Sequence, residues 1–421
     1  MFKKTQLQNG LRIITIPQKG TRAVTVLVLV RTGSKYETKE INGISHFLEH
    51  VFFKGTKKRP NTLQIAETLD RVGGIYNAFT SKEFTGYWAK VDSKHLGLAL
   101  DWVSDILLNS KFEKKELEKE KKVVMEEMNM YLDTPMSYIH DLWEKLLYGD
   151  QPAGWMTIGE KETIAKLKRK QVLDYLKIHY VAENIIVCVA GNMERKSAER
   201  KIKKYFQKIK IGKPKPKLRV SEKQGRPQSL VHFKKTDQTH FCLGVRTYDL
   251  FHPSKYAQAV LATILGGNMS SRLFISVRER AGLAYYIRTL VENATDTGYL
   301  ITQAGVDNQN VEKAISLILR EYKSFKDKKV KDEELKKAKD FLKGNLILSL
   351  ESSDAKATFY AGQELLEGEI LTLKEKLKKI DEVDAKEIQK LSKEIFLPQK
   401  LNLALIGPFQ DKRRFQKLLK I

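Results

Sequence analysis

The sequence predicts an α+β fold with two homologous halves, each a mostly antiparallel sheet with helices packed on one face. Its length, a central linker and a repeated order of elements support this prediction. The 421 residues are enough for two globular units at ~100–200 residues per domain. Residues 212–227 (GKPKPKLRVSEKQGRP) hold three of the ten prolines and divide the chain almost in half. We therefore predict an N-terminal domain over 1–211, a linker over 212–227, and a homologous C-terminal domain over 228–421.

The same order of elements is expected in both halves. Each half begins with an apolar, β-rich run, continues with an amphipathic helix and a long charged helix, and closes on an apolar strand ending in glycine. The expected pairs of elements are strands 24–30 and 241–245, helices 44–53 and 256–265, long helices near 113–131 and 331–350, and closing strands 185–191 and 401–407. This repetition indicates duplication of a unit of roughly 200 residues.

The chain carries a net charge of +25, from 76 basic and 51 acidic residues. Lysine alternates with glutamate at helical spacing, as in KFEKKELEKEKK, so we expect most of this charge on solvated helix faces. No basic run is interleaved with the aromatic side chains that stack on bases, so we expect no nucleic-acid partner. The rival hypothesis, a nucleic-acid binder driven by charge, predicts strongly salt-dependent binding.

Three features of the sequence bear on the cellular compartment: its apolar stretches, its first residues and its cysteines. No stretch approaches the ~18–20 uncharged apolar residues of a membrane helix, so we expect no membrane span. The first residues read as a strand and lack the apolar segment of a signal peptide. The only cysteines, Cys188 and Cys242, lie in apolar, strand-like runs, which argues against a disulfide framework or a cysteine zinc site. Together these features predict a cytoplasmic protein.

Residues 45–52, SHFLEHVF, contain two histidines four residues apart. On a helix, the imidazoles of His46 and His50 project from one face at a spacing that suits a single metal ion. Glu49 precedes the second histidine, so the order is H-x-x-E-H, the inverse of the H-E-x-x-H zinc motif. A hydrolytic Zn²⁺ needs about three protein ligands, an open position for water, and a carboxylate to accept the water's proton. We therefore predict that His46 and His50 are zinc ligands and that Glu49 is the base.

A third ligand is expected in the downstream segment EKEKKVVMEEMNMYLD. Glu120 and Glu127 are seven residues apart, so both point the same way from a helix. One of them can complete the coordination while the other orients a ligand. Glu126 is the main alternative as third ligand, and periodicity alone does not separate it from Glu127. The second half has no H-x-x-E-H, since its corresponding helix reads AQAVLATILGGN, and we expect one Zn²⁺ per chain.

SHFLEH and the downstream glutamates resemble the inverzincin, or pitrilysin-type, zinc peptidases. The two-halved chain is similar to the mitochondrial processing peptidase branch of that family. In the family, 69 residues separate the second histidine from a glutamate, and six residues separate that glutamate from the next one. Glu120 and Glu127 occupy these two positions here. The resemblance implies a zinc metalloendopeptidase with Glu127 as third ligand and Glu120 as a supporting carboxylate.

Residues 71–91 resemble the family's Asn-Ala-x-Thr segment and the strand that follows it beside the metal. The alternating, Thr- and aromatic-rich pattern suits an edge strand, which a peptide substrate could extend through main-chain hydrogen bonds. The resemblance implies that Asn77 and Ala78 lie nearest the scissile bond, and we predict that Phe79 binds substrate with them. On the sequence alone, an ordinary hairpin is equally expected.

Residues 266–286 resemble the family's C-terminal signature. Arg278 and Tyr285 match an arginine and a tyrosine that reach substrate in active relatives. A tyrosine hydroxyl can donate to the developing oxyanion, and an arginine can hold a peptide carbonyl. Tyr286 is a rival for the role of Tyr285, and without the resemblance a surface arginine and a core tyrosine would be the preferred interpretation.

The resemblance also implies an assembly in which two bilobal units enclose a chamber. Because both signatures occur in one chain, we predict a homodimer with two sites, each completed in trans by Arg278 and Tyr285. Such a chamber would admit unfolded peptides or extended segments as substrates and exclude folded proteins. The alternative is a non-catalytic, core-protein-like assembly subunit of the same fold, which would hold no zinc.

Overall fold

The computed structural model describes residues 2–421, which form two compact units. The first unit consists of the residues up to Asn129 together with Trp155–Leu218 and Leu348–Ile370. The second unit consists of Met130–Gly154, Arg219–Ile347 and Leu371–Ile421. Each unit contains one sheet and its own hydrophobic core.

Strands and helices alternate along the described chain. The strands are β1 (Lys3–Gln6), β2 (Arg12–Pro17), β3 (Ala23–Val30), β4 (Ile75–Thr80), β5 (Thr85–Asp92), β6 (Ile185–Gly191), β7 (Gln228–Phe233), β8 (Gln238–Thr247), β9 (Ala284–Ala294), β10 (Thr297–Asp307) and β11 (Leu401–Gly407). The helices are α1 (Ile44–Val51), α2 (Thr62–Asp70), α3 (Leu96–Asn109), α4 (Lys114–Leu132), α5 (Pro135–Tyr148), α6 (Lys161–Lys166), α7 (Arg169–His179), α8 (Arg195–Phe206), α9 (Lys255–Gly266), α10 (Val311–Asp327), α11 (Asp332–Ser349), α12 (Ser353–Leu366), α13 (Leu373–Glu382), α14 (Ala385–Ile395) and α15 (Lys412–Gln416). A π-helical segment, Phe274–Arg280, precedes β9.

The two sheets have the same strand order. The sheet of the first unit runs β1-β2-β6-β3-β5-β4, and that of the second runs β7-β11-β8-β10-β9. If β1 is set aside, five strands remain in each sheet. Numbered in chain order, these five lie side by side in the order first, fifth, second, fourth, third. In both sheets the first and fifth strands pair in parallel and the remaining pairs are antiparallel. The predicted α+β fold with two similar halves is therefore confirmed.

The sheet of the first unit buries both faces. Because successive strand residues point to opposite faces, Val26 and Val28 of β3 join the large core with α1, α3 and α8. Leu27 and Leu29 face the other way and pack with α12, which contributes Ala357 among others. The helices on the first face match the prediction, and among the described helices α12 packs against the opposite face.

The second unit repeats this arrangement. Its main core lies between the sheet and helices that include α9, α10 and α14. On the other face, α5 packs Ile139 and Trp143 against Cys242 and Ile301 of the sheet. Each unit thus contains one helix from the opposite half of the sequence: α5 lies in the second unit and α12 in the first. The predicted linker 212–227 includes one passage between units, at Leu218–Arg219.

Helix α1, which carries the H-x-x-E-H sequence, begins directly after Gly43. Gly43 has φ +93°, and a Cβ there would lie 2.6 Å from the carbonyl oxygen of Ile158. Glycine is required because the backbone is left-handed and closely packed at this point. The helix predicted over 44–53 is confirmed over Ile44–Val51.

The segment 71–91 forms an antiparallel hairpin of β4 and β5. β5 also pairs with β3, whereas β4 lies at the edge of the sheet. The prediction of an edge strand is confirmed, and the hairpin alternative is correct as well, because the edge strand is the outer arm of that hairpin.

Within residues 2–421, no helix has the length and apolar character needed to cross a membrane.

Candidate metal centre

Three side chains from α1 and α4 come together in the first unit. His46 Nε2 lies 3.6 Å from Glu127 Oε1, and His50 Nε2 lies 3.2 Å from Glu127 Oε2. One ligand atom from each residue lies within 4.8 Å of the other two. Ligand atoms of a tetrahedral Zn²⁺ site with bonds of ~2.0–2.2 Å stand ~3.3–3.6 Å apart. The three residues therefore fit a Zn²⁺ ion with little rearrangement.

Glu120 lies seven residues, about two helical turns, before Glu127 on α4. It contacts the second ring nitrogen of His50, Nδ1. Its Oε1 lies 3.0 Å from His50 Nδ1, and its Oε2 lies 2.7 Å from Lys54 Nζ. A proton on Nδ1 directed at this carboxylate leaves Nε2 free to bind a metal. Glu120 is buried, and a buried carboxylate is costly without a compensating charge. Lys54 supplies that positive charge.

The two carboxylates make the site strongly favourable for a cation. Burial of His50 opposes its protonation, but hydrogen bonds and charges from Glu120 and Glu127 outweigh that effect and raise its pKa to about 9. Hydrogen bonds from His46 and His50 hold the pKa of the Glu127 carboxyl far below its usual value. The pKa of Glu120 is lowered by His50 and Lys54, against the effect of its burial. Both carboxylates are therefore ionised at neutral pH.

Glu49 lies on α1 between the two histidines in sequence. Its Oε2 accepts a hydrogen bond of 2.7 Å from Thr80 Oγ1, at the end of the edge strand β4. Thr80 is thus a residue of the site to which the sequence assigned no role, although it is the threonine of the Asn-Ala-x-Thr segment. The contact fixes the carboxylate of Glu49 between the helix and the sheet edge.

The alternative ligand Glu126 does not join the cluster. It is exposed, and its Oε2 accepts a hydrogen bond of 3.2 Å from Asn129 Nδ2 on the same helix. The group of three potential ligands includes Glu127 instead. Within the described part of the chain, no second such group of histidine, cysteine or acidic side chains comes together.

The three residues predicted to bind substrate lie on β4. Asn77 is exposed, Ala78 is buried, and Phe79 is half-buried, as expected for alternating directions along a strand. The Asn77 side chain accepts a hydrogen bond of 2.9 Å from the backbone N–H of Ala78. Among the described strands, β4 pairs only with β5 and leaves its other edge open.

Arg278 and Tyr285 belong to the second unit. The Arg278 guanidinium lies over the Phe274 ring at 4.6 Å, within the π-helical segment. Tyr285 is 77% exposed on the edge strand β9, whereas the rival Tyr286 is half-buried and contacts His240 Nδ1 at 2.9 Å. Tyr285 is therefore the tyrosine more accessible to another molecule, and the roles of Arg278 and Tyr285 stay predictions.

Sequence reasoning missed Glu37, which holds the beginning of α1. This buried carboxylate accepts hydrogen bonds from the backbone N–H groups of Gly43 (2.7 Å) and Ser45 (2.8 Å) and from Asn42 Nδ2 (3.0 Å). Its burial raises its pKa even though these donors act in the opposite direction. An isolated glutamate in a loop gives no sequence signal for this role.

Family models match most of the chain. The model described as insulinase (peptidase family M16) matches residues 12–160, which include the candidate metal centre. The model described as the peptidase M16 inactive domain matches residues 166–342. The chain belongs to peptidase family M16. This confirms the resemblance to pitrilysin-type zinc peptidases.

Relatives of this M16 chain match nearly its whole length. A Bacillus subtilis protein named as an uncharacterized zinc protease is 38% identical over 412 residues, which cover 97% of this chain and 98% of that protein. A Streptomyces coelicolor protein with the same description is 32% identical over 98% of this chain and 90% of its own length.

Solved structures share the M16 fold. A protease from Helicobacter pylori superposes with a TM-score of 0.90 at 24% identity, over 97% of this chain and 99% of that chain. A chain of complex III2 from Candida albicans superposes with a TM-score of 0.87 at 20% identity, over the full length of both. At these identities the likeness concerns the fold alone.

Proposed function

We propose that this M16 protein is a zinc-dependent endopeptidase in which His46, His50 and Glu127 hold one Zn²⁺ per chain. The observation that carries the proposal is the convergence of two imidazole Nε2 atoms on the Glu127 carboxylate, with Glu49 on the same helix. The names of the Bacillus and Streptomyces relatives, both zinc proteases, support the same activity.

The chemistry divides among the side chains of the chain. When bound, Zn²⁺ lowers the pKa of water and polarises the substrate carbonyl. Glu49 accepts the proton of the attacking water and returns it to the leaving amine, while Thr80 holds one of its two carboxylate oxygens. Tyr285 donates its hydroxyl to the developing oxyanion, and Arg278 holds a peptide carbonyl.

Substrates in this proposal are unfolded peptides or extended segments. Such a segment adds to the open edge of β4 through main-chain hydrogen bonds, next to Asn77, Ala78 and Phe79. The chain works as a homodimer that encloses a chamber, and each site is completed in trans by Arg278 and Tyr285. The two cysteines of the chain are buried and free, which fits a cytoplasmic enzyme.

The test is to compare wild type and Glu49→Gln on a degenerate peptide library. We expect the variant to lose at least about 100-fold in turnover because it lacks the base. It should retain one zinc per chain by metal analysis, since its ligands are intact. Glu126→Gln is the matched control, because this exposed carboxylate of α4 lies outside the cluster. Equal cleavage by wild type and Glu49→Gln would show that Glu49 is not the base.

The second candidate function is a non-catalytic, core-protein-like assembly subunit. The fold shared with a chain of complex III2 from Candida albicans is compatible with it. Metal analysis separates the two functions: the enzyme holds about one Zn²⁺ per chain, whereas a pure assembly subunit holds none and cleaves no peptide.

A further inference from the structure

The second unit contains a polar cluster outside the predicted peptidase residues, on the sheet face covered by α5. Its centre is Gln303 of β10, whose side chain is fully buried. Gln303 Nε2 donates to the carbonyl oxygen of Met136, in the first turn of α5, at 2.7 Å. This bond fixes the orientation of the amide, so that Oε1 faces the neighbouring side chains.

Three nitrogen atoms converge on that single amide oxygen. Arg288 of β9, directly opposite Gln303 in the sheet, places Nε at 2.9 Å and an Nη atom at 2.7 Å from Oε1. His140 of α5 places Nε2 at 2.8 Å from the same atom. Burial and the charge of Arg288 lower the pKa of His140, although the hydrogen bond to Gln303 and the charge of Glu144 act in the opposite direction. The cluster is therefore rich in donors and poor in acceptors.

Within the described part of the chain, Arg288 forms no ion pair with an acidic side chain. It is exposed at the edge of the sheet, and among residues 2–421 its polar contacts are with Gln303 and His140 alone. A guanidinium forms its strongest, bidentate hydrogen bonds with a carboxylate, and a neutral amide oxygen is a weaker acceptor. The beginning of α5, where Met136 lies, adds the positive end of a helix dipole. The electrostatics of this surface therefore favour an anionic group.

We propose that Arg288, held in place by Gln303 and next to His140, forms a binding site for a carboxylate of the peptide substrate. The carboxylate accepts from the outer edge of the Arg288 guanidinium, which the sheet leaves open to solvent. Either the C-terminal carboxylate of a peptide or an Asp or Glu side chain supplies this chemistry. The inference rests on the proposed function, because it names a feature of the peptides that this enzyme selects.

The experiment measures equilibrium binding, so its result does not depend on hydrolysis. The full-length Glu49→Gln protein, loaded with zinc, is titrated against four fluorescent peptides of one sequence. They carry either glutamate or glutamine side chains and either a free or an amidated C-terminus. In this background Arg288→Met removes the guanidinium, and Arg320→Met on α10 is the control for loss of one exposed positive charge.

We expect Arg288→Met to weaken binding of the peptide with glutamate side chains and a free C-terminus by about tenfold or more. This is the usual effect of losing a charge-assisted hydrogen bond. The fully neutral peptide should bind both proteins equally, and Arg320→Met should change nothing. Arg288→Lys should recover part of the lost affinity, since lysine restores the positive charge but not the bidentate N–H donors of the guanidinium. The two mixed peptides tell whether the C-terminus or the side chain is bound.

The inference is overturned if Arg288→Met binds all four peptides as tightly as its parent, or if it loses affinity for neutral and acidic peptides alike. Arg288 is exposed, so the variants should fold, and their melting temperatures check this. Failure of the proposed function would appear separately, as absence of zinc or of wild-type hydrolysis.

Discussion

His50 is the residue on which the electrostatics of the candidate metal centre depend. A carboxylate lies at each of its ring nitrogens, Glu120 at Nδ1 and Glu127 at Nε2. The interactions that favour a proton on His50 also favour a divalent cation at Nε2, because both place positive charge between the carboxylates. Lys54 compensates the buried charge of Glu120 without occupying the position between the histidines.

Glu120→Gln should weaken zinc binding by roughly 10- to 100-fold, because the amide compensates less of the charge on the imidazole. Glu127→Gln should weaken zinc binding more, since it replaces a proposed ligand. Zinc affinity is measured by competition with a chelator of known affinity. Glu126→Gln, on the same helix, is the control and should bind zinc like wild type. Equal affinity of wild type and Glu120→Gln would contradict a supporting role for Glu120.

His179 gives a separate prediction, on stability. It is buried between Tyr36 and Tyr175, and no described side chain or backbone group hydrogen-bonds its Nδ1. Burial, aided by the charge of Lys215, lowers its pKa to about 4. The unfolded chain takes up a proton near pH 6.5 and the folded chain does not, so stability falls as pH drops from ~6.5 towards 4.

His179→Gln should remove that part of the pH dependence. Between pH 7 and pH 4.5, the free energy of unfolding should fall by about 2–3 kcal/mol less in the variant than in wild type. Urea titrations at both pH values measure the difference. A wild-type pH dependence in the variant would show that His179 is not the residue responsible.

At the scale of single residues, local spacing decided what the sequence could predict. His46, Glu49 and His50 stand within one helix, and Glu127 was chosen over Glu126 through the family resemblance. Thr80 and Glu37 were assigned no role, because their contacts with α1 arise only from the fold. Glu120 could be predicted because it lies at a helical spacing from Glu127, whereas Thr80 and Glu37 lie at no such spacing from the residues they contact.

The position of α1 depends on its N-terminus. Gly43 allows the left-handed turn, and the Glu37 carboxylate satisfies two backbone N–H groups that the helix leaves without partners. Both histidines and Glu49 follow within two turns. A shift of this helix end would therefore move all three relative to α4.

Glu37→Gln should destabilise the metal-free protein by about 1–3 kcal/mol, because the amide NH₂ must face at least one of the three N–H donors around it. Zinc affinity should fall as well, since α1 loses its fixed end. Glu40→Gln, three residues away and exposed, is the control. Denaturant unfolding and chelator competition measure the two effects, and loss of neither would contradict the importance of this contact.

At the scale of elements, periodicity predicted most of the fold. The apolar runs became β3, β6, β8 and β11, and the charged runs became α4 and α11, with boundaries shifted by a few residues. The edge position of β4 was predicted from its alternating pattern and the family resemblance. The π-helical segment that carries Arg278 was not predicted, because its composition does not differ from that of an α-helix.

The proposed homodimer makes a prediction for the whole molecule. If Tyr285 acts in trans, a hybrid dimer of Glu49→Gln and Tyr285→Phe chains contains one intact site and one site with both defects. Co-expressed variants should therefore regain peptidase activity that neither variant has alone. Light scattering should give a mass near twice 48.4 kDa. A fully active monomer, or no recovered activity in hybrid dimers, would contradict this arrangement.

At the scale of the whole molecule, the sequence predicted the duplication but not the composition of the two units. The order of apolar runs is repeated along the chain, and the sheets repeat it in space. By contrast, α5 and α12 are amphipathic helices whose sequences do not state which sheet they cover. That choice depends on packing between segments far apart in the chain.

This reciprocal placement of α5 and α12 means that neither half-chain is self-sufficient. A fragment ending in the linker would leave Leu27 and Leu29 of β3 uncovered and would carry the Trp143 helix without its sheet. When expressed separately, the two fragments should aggregate through their exposed apolar surfaces. When co-expressed, they should associate and fold together. Proteolytic nicking near residue 218 should likewise leave the pieces associated until denaturant is added.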